Sequence, residues 1–189
     1  MREQILDAAE RLVQNRGLSA VSFQDLADAV GLRKASLFHH IKNKDELGRL
    51  LIQRCGTKHG PRYAAVIEQD TDAPAKLRGI AKLFEDDLHA GEPCLMAALG
   101  SSLDALSESA VVELNAAAEA SVARFGLVFA QGRSEGSLAF EGSAEDAAMG
   151  FFAMLEGMQT LCRAAGDASS FGRCVSTYIA AVTVPEGVA

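Results

Sequence analysis

Between Ser22 and Ile41 the chain reads SFQDLADAVGLRKASLFHHI. Arg33, Lys34, His39 and His40 crowd the second half of this stretch, Ser36 lies among them, and Asn43-Lys44 follows at once. Cations and small hydrogen-bonding groups at this density suit non-covalent capture of a phosphate polymer: the cations hold phosphates and the polar groups read base edges. Covalent chemistry finds no comparable support. There is no G-x-S-x-G, no P-loop and no H-E-x-x-H, so the usual scaffolds for acyl transfer, nucleotide hydrolysis and zinc-assisted hydrolysis are missing. Glu85 and His89 stand four residues apart and could share a metal, but one pair does not make a metal site, and a solvated helix face explains it as well. Nothing calls for a cofactor.

Positioning these groups requires two short helices. Leu37 and Ile41 point the same way on a helical wheel, which must be inward, and this leaves Ala35, Ser36 and His39 on the outer face with Arg33 and His40 toward its edge. Phe23, Leu26, Ala27, Val30 and Leu32 are placed to pack a first helix, from about Ser22 to Ala29, against a second from about Arg33 to His40. Ser22 and Asp25 have capping-box spacing, and Gly31 occupies the turn. The result over 22–41 is a helix-turn-helix, whose second helix has the small, polar, basic surface expected of one entering the major groove. Asn43 and Glu46 make another cap, opening a helix near Lys44 whose free amides and ammonium could hold a phosphate.

The whole chain has 189 residues, 49% of them hydrophobic, and a net charge of −7. That total argues against nucleic acid, but its distribution does not. Residues 1–60 carry ten Lys/Arg against seven Asp/Glu, whereas 61–189 carry eight against eighteen: an acidic body with a locally basic head. Helical periodicity continues to the end. Ile5, Ala8, Ala9, Leu12 and Val13 line one face of an opening helix that stops at Gly17. Further helices are predicted near 74–90, 94–106, 108–131, 144–165 and 168–183, with Gln131 to Ser143 a loop with a flexible tip. Gly56 and Gly60-Pro61 are expected to break the helix that begins at Lys44, which puts a domain boundary near residue 60. The expected fold is all-α with about nine helices. An N-terminal three-helix helix-turn-helix domain (1–60) precedes a C-terminal helical domain (61–189). The start, Met1-Arg2-Glu3-Gln4, has neither the basic end nor the apolar stretch of a secretory signal, and no apolar run is long enough to span a bilayer. The expected compartment is the cytoplasm, with no membrane partner and with Cys55, Cys94, Cys162 and Cys174 as thiols.

At this point a resemblance becomes specific. The run ILDAAERLVQNRGLSAVSFQDLADAVGLRKASLFHHIKNKDELGRLLI resembles the N-terminal domain of the TetR family. The telling pieces are the ILDAAERL opening, the G-x-x-x-x-S/T link, the L-A-x-x-V-G-L turn and the closing KASLFHHIKNKDEL. The resemblance implies a DNA-binding transcriptional regulator, not an enzyme. Such a chain is usually a repressor that acts as a homodimer on near-palindromic double-stranded operator DNA and is released by a small-molecule or thiol-reactive effector. It puts DNA contacts on Arg33, Lys34, Ser36, His39 and His40, gives Lys44 the phosphate-binding lysine's place, and brings Ser22 and Phe38 into the DNA-binding set. Phe38 stands where most of the family has Tyr, whose hydroxyl usually reaches a phosphate; a Phe ring cannot make that bond.

The C-terminal part is less specific. The resemblance implies a ligand-binding and dimerisation domain whose last two long helices pair with a second copy. Phe84, Leu88, Phe125, Phe129, Phe151, Phe152, Leu155 and Met158 could line an effector cavity, or form ordinary core. Cys94 joins this ligand-binding set as a candidate redox sensor. Pro93-Cys94 reads as a helix start, which favours thiolate, and C-L-M-A-A-L-G resembles a branch of the family with G-C-L there; a packing thiol is the alternative. A helix-turn-helix DNA-binding protein without an effector, and an enzyme with a metal site, are the rival readings.

Overall fold

The computed structural model describes residues 1–185; residues 186–189, the end of the second predicted domain, lie outside the described residues. Nine α-helices account for most of these: α1 Arg2–Arg16, α2 Phe23–Val30, α3 Lys34–Leu37, α4 Lys44–Ile67, α5 Ala73–His89, α6 Leu95–Gly100, α7 Glu108–Glu135, α8 Ala144–Ala165 and α9 Ser169–Val182. A 3-10 turn, Leu103–Ala105, follows α6. Strand pairing among the described residues is limited to one bridge between Leu138 and Thr183. Among the described residues, no helix is long and apolar enough to cross a membrane.

Local chemistry sets the early boundaries. Ser22 and Asp25 form a reciprocal capping box at the start of α2, which satisfies two amides that a helix start would otherwise leave unbonded. Gly31 ends α2 in the left-handed conformation, φ 68°, where a side chain would be strained. The turn is thereby tight enough to fold α3 back on α2. Asn43 Oδ1 accepts from the Glu46 amide at 2.8 Å and opens α4.

Three sequence expectations change. First, α4 does not break at Gly56 or Gly60-Pro61 but runs on to Ile67. A proline inside a helix forfeits one hydrogen bond and costs about 3 kcal/mol. Here packing just beyond it offsets that cost: Arg62 donates twice to Asp87, at 2.9 and 2.8 Å, and the buried Tyr63 ring meets those of Phe84 and Phe125. Second, the helix expected over 94–106 is only α6. Ser101 and Ser102 turn their hydroxyls back onto the Ala98 carbonyl, at 2.9 and 3.2 Å, a local competition that ends helices. Third, the loop expected from Gln131 begins only after Glu135, because Gln131 is held in α7 by bonds to Lys76 and the Thr71 carbonyl.

The chain forms two compact units. The first comprises Met1–Lys58 and Glu92–Ala118; the second comprises His59–Gly91 and the residues from Glu119 onward. The boundary expected near residue 60 puts all of 92–118 in the second domain. In the first unit α1 packs on α2 and α6, around Ile5, Ala9, Val13, Leu26, Leu37, Ile41, Leu95 and Leu99, all buried. In the second, α5 packs on α8 and α9. Helices α4 and α7 contribute residues to both units.

Gly132 in α7 lies so close to its neighbours that a Cβ would sit 2.4 Å from Leu138 Cγ and 2.9 Å from Ala73 Cβ. Overpacking of this kind costs about 1–3 kcal/mol, while replacing a helical Gly with Ala returns about 1. A contact as short as 2.4 Å falls in the upper part of that cost, so Gly132→Ala is expected to lower stability by about 1–2 kcal/mol in urea unfolding. An unchanged or raised midpoint would mean that α7, Leu138 and Ala73 are packed more loosely than described.

Candidate nucleic-acid interface

Burial decides which way α3 faces. Leu26, Ala27, Leu37 and Ile41 have no exposed surface, so the α2–α3 corner is sealed and the remaining side chains of α3 point out. Arg33, Lys34, Ala35, Phe38, His39, Lys42 and Asn43 are exposed; Ser36, His40 and Lys44 are half-buried. No side-chain hydrogen bond or ion pair among the described residues engages Arg33, Lys34, His39, His40 or Lys42. Their donors face solvent uncompensated, whereas several other cations of the chain are ion-paired. Arg16 meets Asp25, Arg49 meets Glu113, Arg62 meets Asp87 and Lys82 meets Asp86. Unpaired cations and imidazoles gathered on a one-turn helix and its following turn can attract phosphates and present donors to base edges.

Three residues of the predicted set stand apart from the rest. Ser22 is a cap: its hydroxyl donates to the Asp25 carboxylate and accepts from the Asp25 amide. With its proton committed, it has no donor left for a phosphate oxygen. These bonds from Ser22 hold the Asp25 carboxyl below its usual range. Lys44 Nζ donates to the Ser19 carbonyl at 2.6 Å, bracing the α1–α2 loop; an ammonium has three donors, so two remain. Phe38 is exposed, with its ring stacked on that of Phe23.

The effector candidates divide. Phe84, Phe125, Phe129, Phe151 and Phe152 form one connected network of rings in the second unit, with centroids 5.7–6.3 Å apart and mostly edge to face. Leu88 and Leu155 are buried and Met158 half-buried. Tyr63, at 5.1 Å from Phe125, is not among the expected residues, because a helix break near residue 60 leaves it outside every expected helix. Nor is Gln159, a buried amide donating to the Phe84 carbonyl at 2.8 Å. A groove of about 170 Å³ between α5 and α9 is lined by Arg78, Lys82, Glu85, Phe171 and Val175 among others, but by none of the predicted ligand-binding residues. Glu85 bonds Lys82, and no group of three metal-ligating side chains gathers among the described residues. Cys94 belongs to the first unit, half-buried against its core at the cap of α6. Six residues of helix supply little of the dipole on which the thiolate argument relied. None of the four cysteines forms a disulfide.

Comparison with known proteins bears on this surface directly. Residues 5–49, from α1 into α4, match the family model "Bacterial regulatory proteins, tetR family". KstR2 of Mycolicibacterium smegmatis, an HTH-type transcriptional repressor, is 29% identical over 79 residues, which make up 42% of this chain and 38% of that protein. IcaR of Staphylococcus epidermidis, an HTH-type negative transcriptional regulator of a biofilm operon, is 33% identical over 55 residues, 29% of this chain and 30% of that one. These matches thus span well under half the length of either relative. A solved TetR-family transcriptional regulator from Agrobacterium tumefaciens is similar over 97% of both chains, with 28% identity and a TM-score of 0.90.

A charged clamp joins α1 to α4 across the matched segment's ends. Glu10 is nearly fully buried and accepts from Arg54 Nε and Lys58 Nζ, each at 2.8 Å. Arg54 also reaches Glu3 at 2.6 Å and Asp7, and Lys58 reaches Glu92 at 3.1 Å. The acidic stripe Glu3, Asp7, Glu10 at steps of four and three was visible in the sequence; its partners, more than forty residues away, were not. Burial opposes the charged form of Glu10, but hydrogen bonds from Lys58 and Arg54 outweigh it and hold the carboxyl below its ordinary 4.5. A carboxyl depressed in the folded state adds stability above its unfolded value, and that stability is lost as pH falls through the folded one. Glu10→Gln is expected to destabilise the chain by about 1–3 kcal/mol at pH 7 and to flatten the loss of stability below pH 4.5. Urea unfolding at neutral and acid pH reads both; parallel pH profiles for the two proteins would remove Glu10 from the clamp.

Proposed function

By its N-terminal domain the chain belongs to the TetR family of bacterial regulatory proteins, and from that premise we propose that it is a cytoplasmic, sequence-specific DNA-binding repressor of transcription. The observation that carries this reading is the uncompensated cationic face of α3 on a strongly acidic chain. Arg33, Lys34, Ser36 and His39 contact the major groove, while His40, Lys42 and the remaining donors of Lys44 hold the flanking phosphates. The sign of regulation follows the two relatives, one named a repressor and the other a negative regulator.

The functional unit is a homodimer. One turn of helix reads too few base pairs to specify a rare site, and a two-fold dimer reads two half-sites about 34 Å apart or a multiple of that. The pairing surface is α8 with α9. Met149, Ala153, Gly157 and Leu161 recur every fourth residue along α8 and are exposed, as are Cys174, Thr177 and Ala181 on α9. Met149 and Leu161 are large apolar side chains more than half exposed, and the small residues between them let two helices approach closely. An apolar effector acts by entering the ring network of the second unit. Because those rings are closely packed, it must favour a loosened conformation over this one by its own differential affinity. The same packing favours, as a second reading, a repressor that answers to no ligand.

Selection from random duplexes tests the first proposal. One preferred near-palindromic site is expected, with affinity falling steeply as salt rises. Lys42→Ala should reduce the slope of log affinity against log salt by about 0.9, and Arg33→Ala should cost about 1–3 kcal/mol and relax preference at particular bases. Leu161→Arg should yield monomers in light scattering and lose the site. Binding without any sequence preference at moderate salt would overturn the repressor reading; a dimeric Leu161→Arg would move the interface elsewhere.

A further inference from the structure

Among the exposed large apolar side chains of the described residues, Phe38 is the one aromatic ring. It is 46% exposed, immediately after the last residue of α3. A loose surface Phe would fold down against its own backbone, but this one is held. The Phe23 ring, at the start of α2 and half-buried, lies beneath it at a centroid distance of 5.0 Å and an interplanar angle of 14°. The stack leaves one face and the edge of Phe38 toward solvent in a fixed orientation. Its neighbours are the unpaired cations. Lys34 precedes it by four residues and Ala35 by three, which sets them on the same side of the helical turn, while His39 and Lys42 follow. A surface that gathers phosphates therefore has a rigid apolar ring at its centre.

We infer that Phe38 reads a thymine methyl group in the major groove, and so sets sequence preference at one position of each half-site. The inference rests on the DNA-binding reading above and adds to it a base-specific role for this residue. Without a hydroxyl, the ring has no hydrogen bond to offer a phosphate or a base edge. The apolar groups that duplex DNA presents to it are deoxyribose and the C5-methyl of thymine, and of these only the methyl lies on a base edge and distinguishes T from C. Bracing by Phe23 means the contact requires little ordering when DNA binds, so most of the gain from covering the methyl appears as affinity.

The test uses the full chain and the duplex recovered by selection. Each thymine is replaced singly by deoxyuridine, which removes the methyl and leaves the base pair intact. One position per half-site is expected to weaken binding about fourfold, the scale of one buried methyl. The same replacement should leave the affinity of Phe38→Ala unchanged, whereas Phe38→Tyr, which keeps the ring, should respond as the native chain does. Circular dichroism checks that Phe38→Ala is folded; Phe38→Gln serves the same comparison if it is not. Indifference of the native chain to every deoxyuridine overturns the inference and assigns the ring to deoxyribose or to a protein partner. A methyl effect that survives in Phe38→Ala overturns it in favour of Ala35. In both cases the repressor reading stands. If selection recovers no preferred duplex, that reading fails and this inference with it.

Discussion

A helix of four residues cannot hold itself. Closing one helical turn fixes several backbone angles in return for a single hydrogen bond, so α3 has no stability of its own. It exists because Leu37 and Ile41 are removed from water against Leu26 and Ala27, each burial contributing about 1.5–3 kcal/mol for a large side chain. The direction of every candidate DNA contact follows from that packing. With residues 37 and 41 inward, Arg33, Lys34, Ala35, Phe38 and His39 have only the outside. The left-handed turn at Gly31 and the capping box at Ser22 deliver α3 to this position, and the Asn43 cap starts α4 directly after it.

The same constraint explains how so acidic a chain presents a face to DNA. Net charge is a sum over cations with very different duties. Arg54 and Lys58 are occupied by the buried Glu10 and its neighbours, Arg49 by Glu113 and Arg62 by Asp87. A charge neutralised at 3 Å contributes little field beyond a Debye length. The cations at 33, 34 and 42 have no such partner, so the local potential over α3 is set by them rather than by the total. Lys44 stands between the two groups, bonded to the Ser19 carbonyl yet with donors to spare.

In the second unit, residue types are less informative than geometry. Phenylalanines chosen as a cavity lining on composition are brought together as a network of edge-to-face rings around Phe125. Close packing is the ordinary state of protein interiors, and composition alone does not separate a lining from a core. Cys94 shows how far a local pattern reaches. Its neighbours in sequence imply a helix start, and it does cap α6, but Glu92–Ala118 folds with the first unit and α6 ends after six residues.

What the sequence by itself determined is the all-helical class, with α5, α8 and α9 placed to within a residue, and the local detail between Arg2 and Lys44. The capping pairs, the Gly31 turn and the inward Leu37 and Ile41 are local patterns, readable within a few residues of each other, and the structure has the helices and outward face they imply. Only the tertiary structure decided the rest, because the deciding partners are distant in the chain. Pro61 was read as a helix breaker on its local cost, and that is offset by Asp87, Phe84 and Phe125. Gln131 belongs to a helix because of Thr71 and Lys76. Ser22 belongs to the DNA-binding set by resemblance, but its hydroxyl donates to the Asp25 carboxylate. Hydrogen-bond capacity and buried area are finite, and which of several suitable groups uses them is settled by proximity in space, which spacing along the chain does not encode.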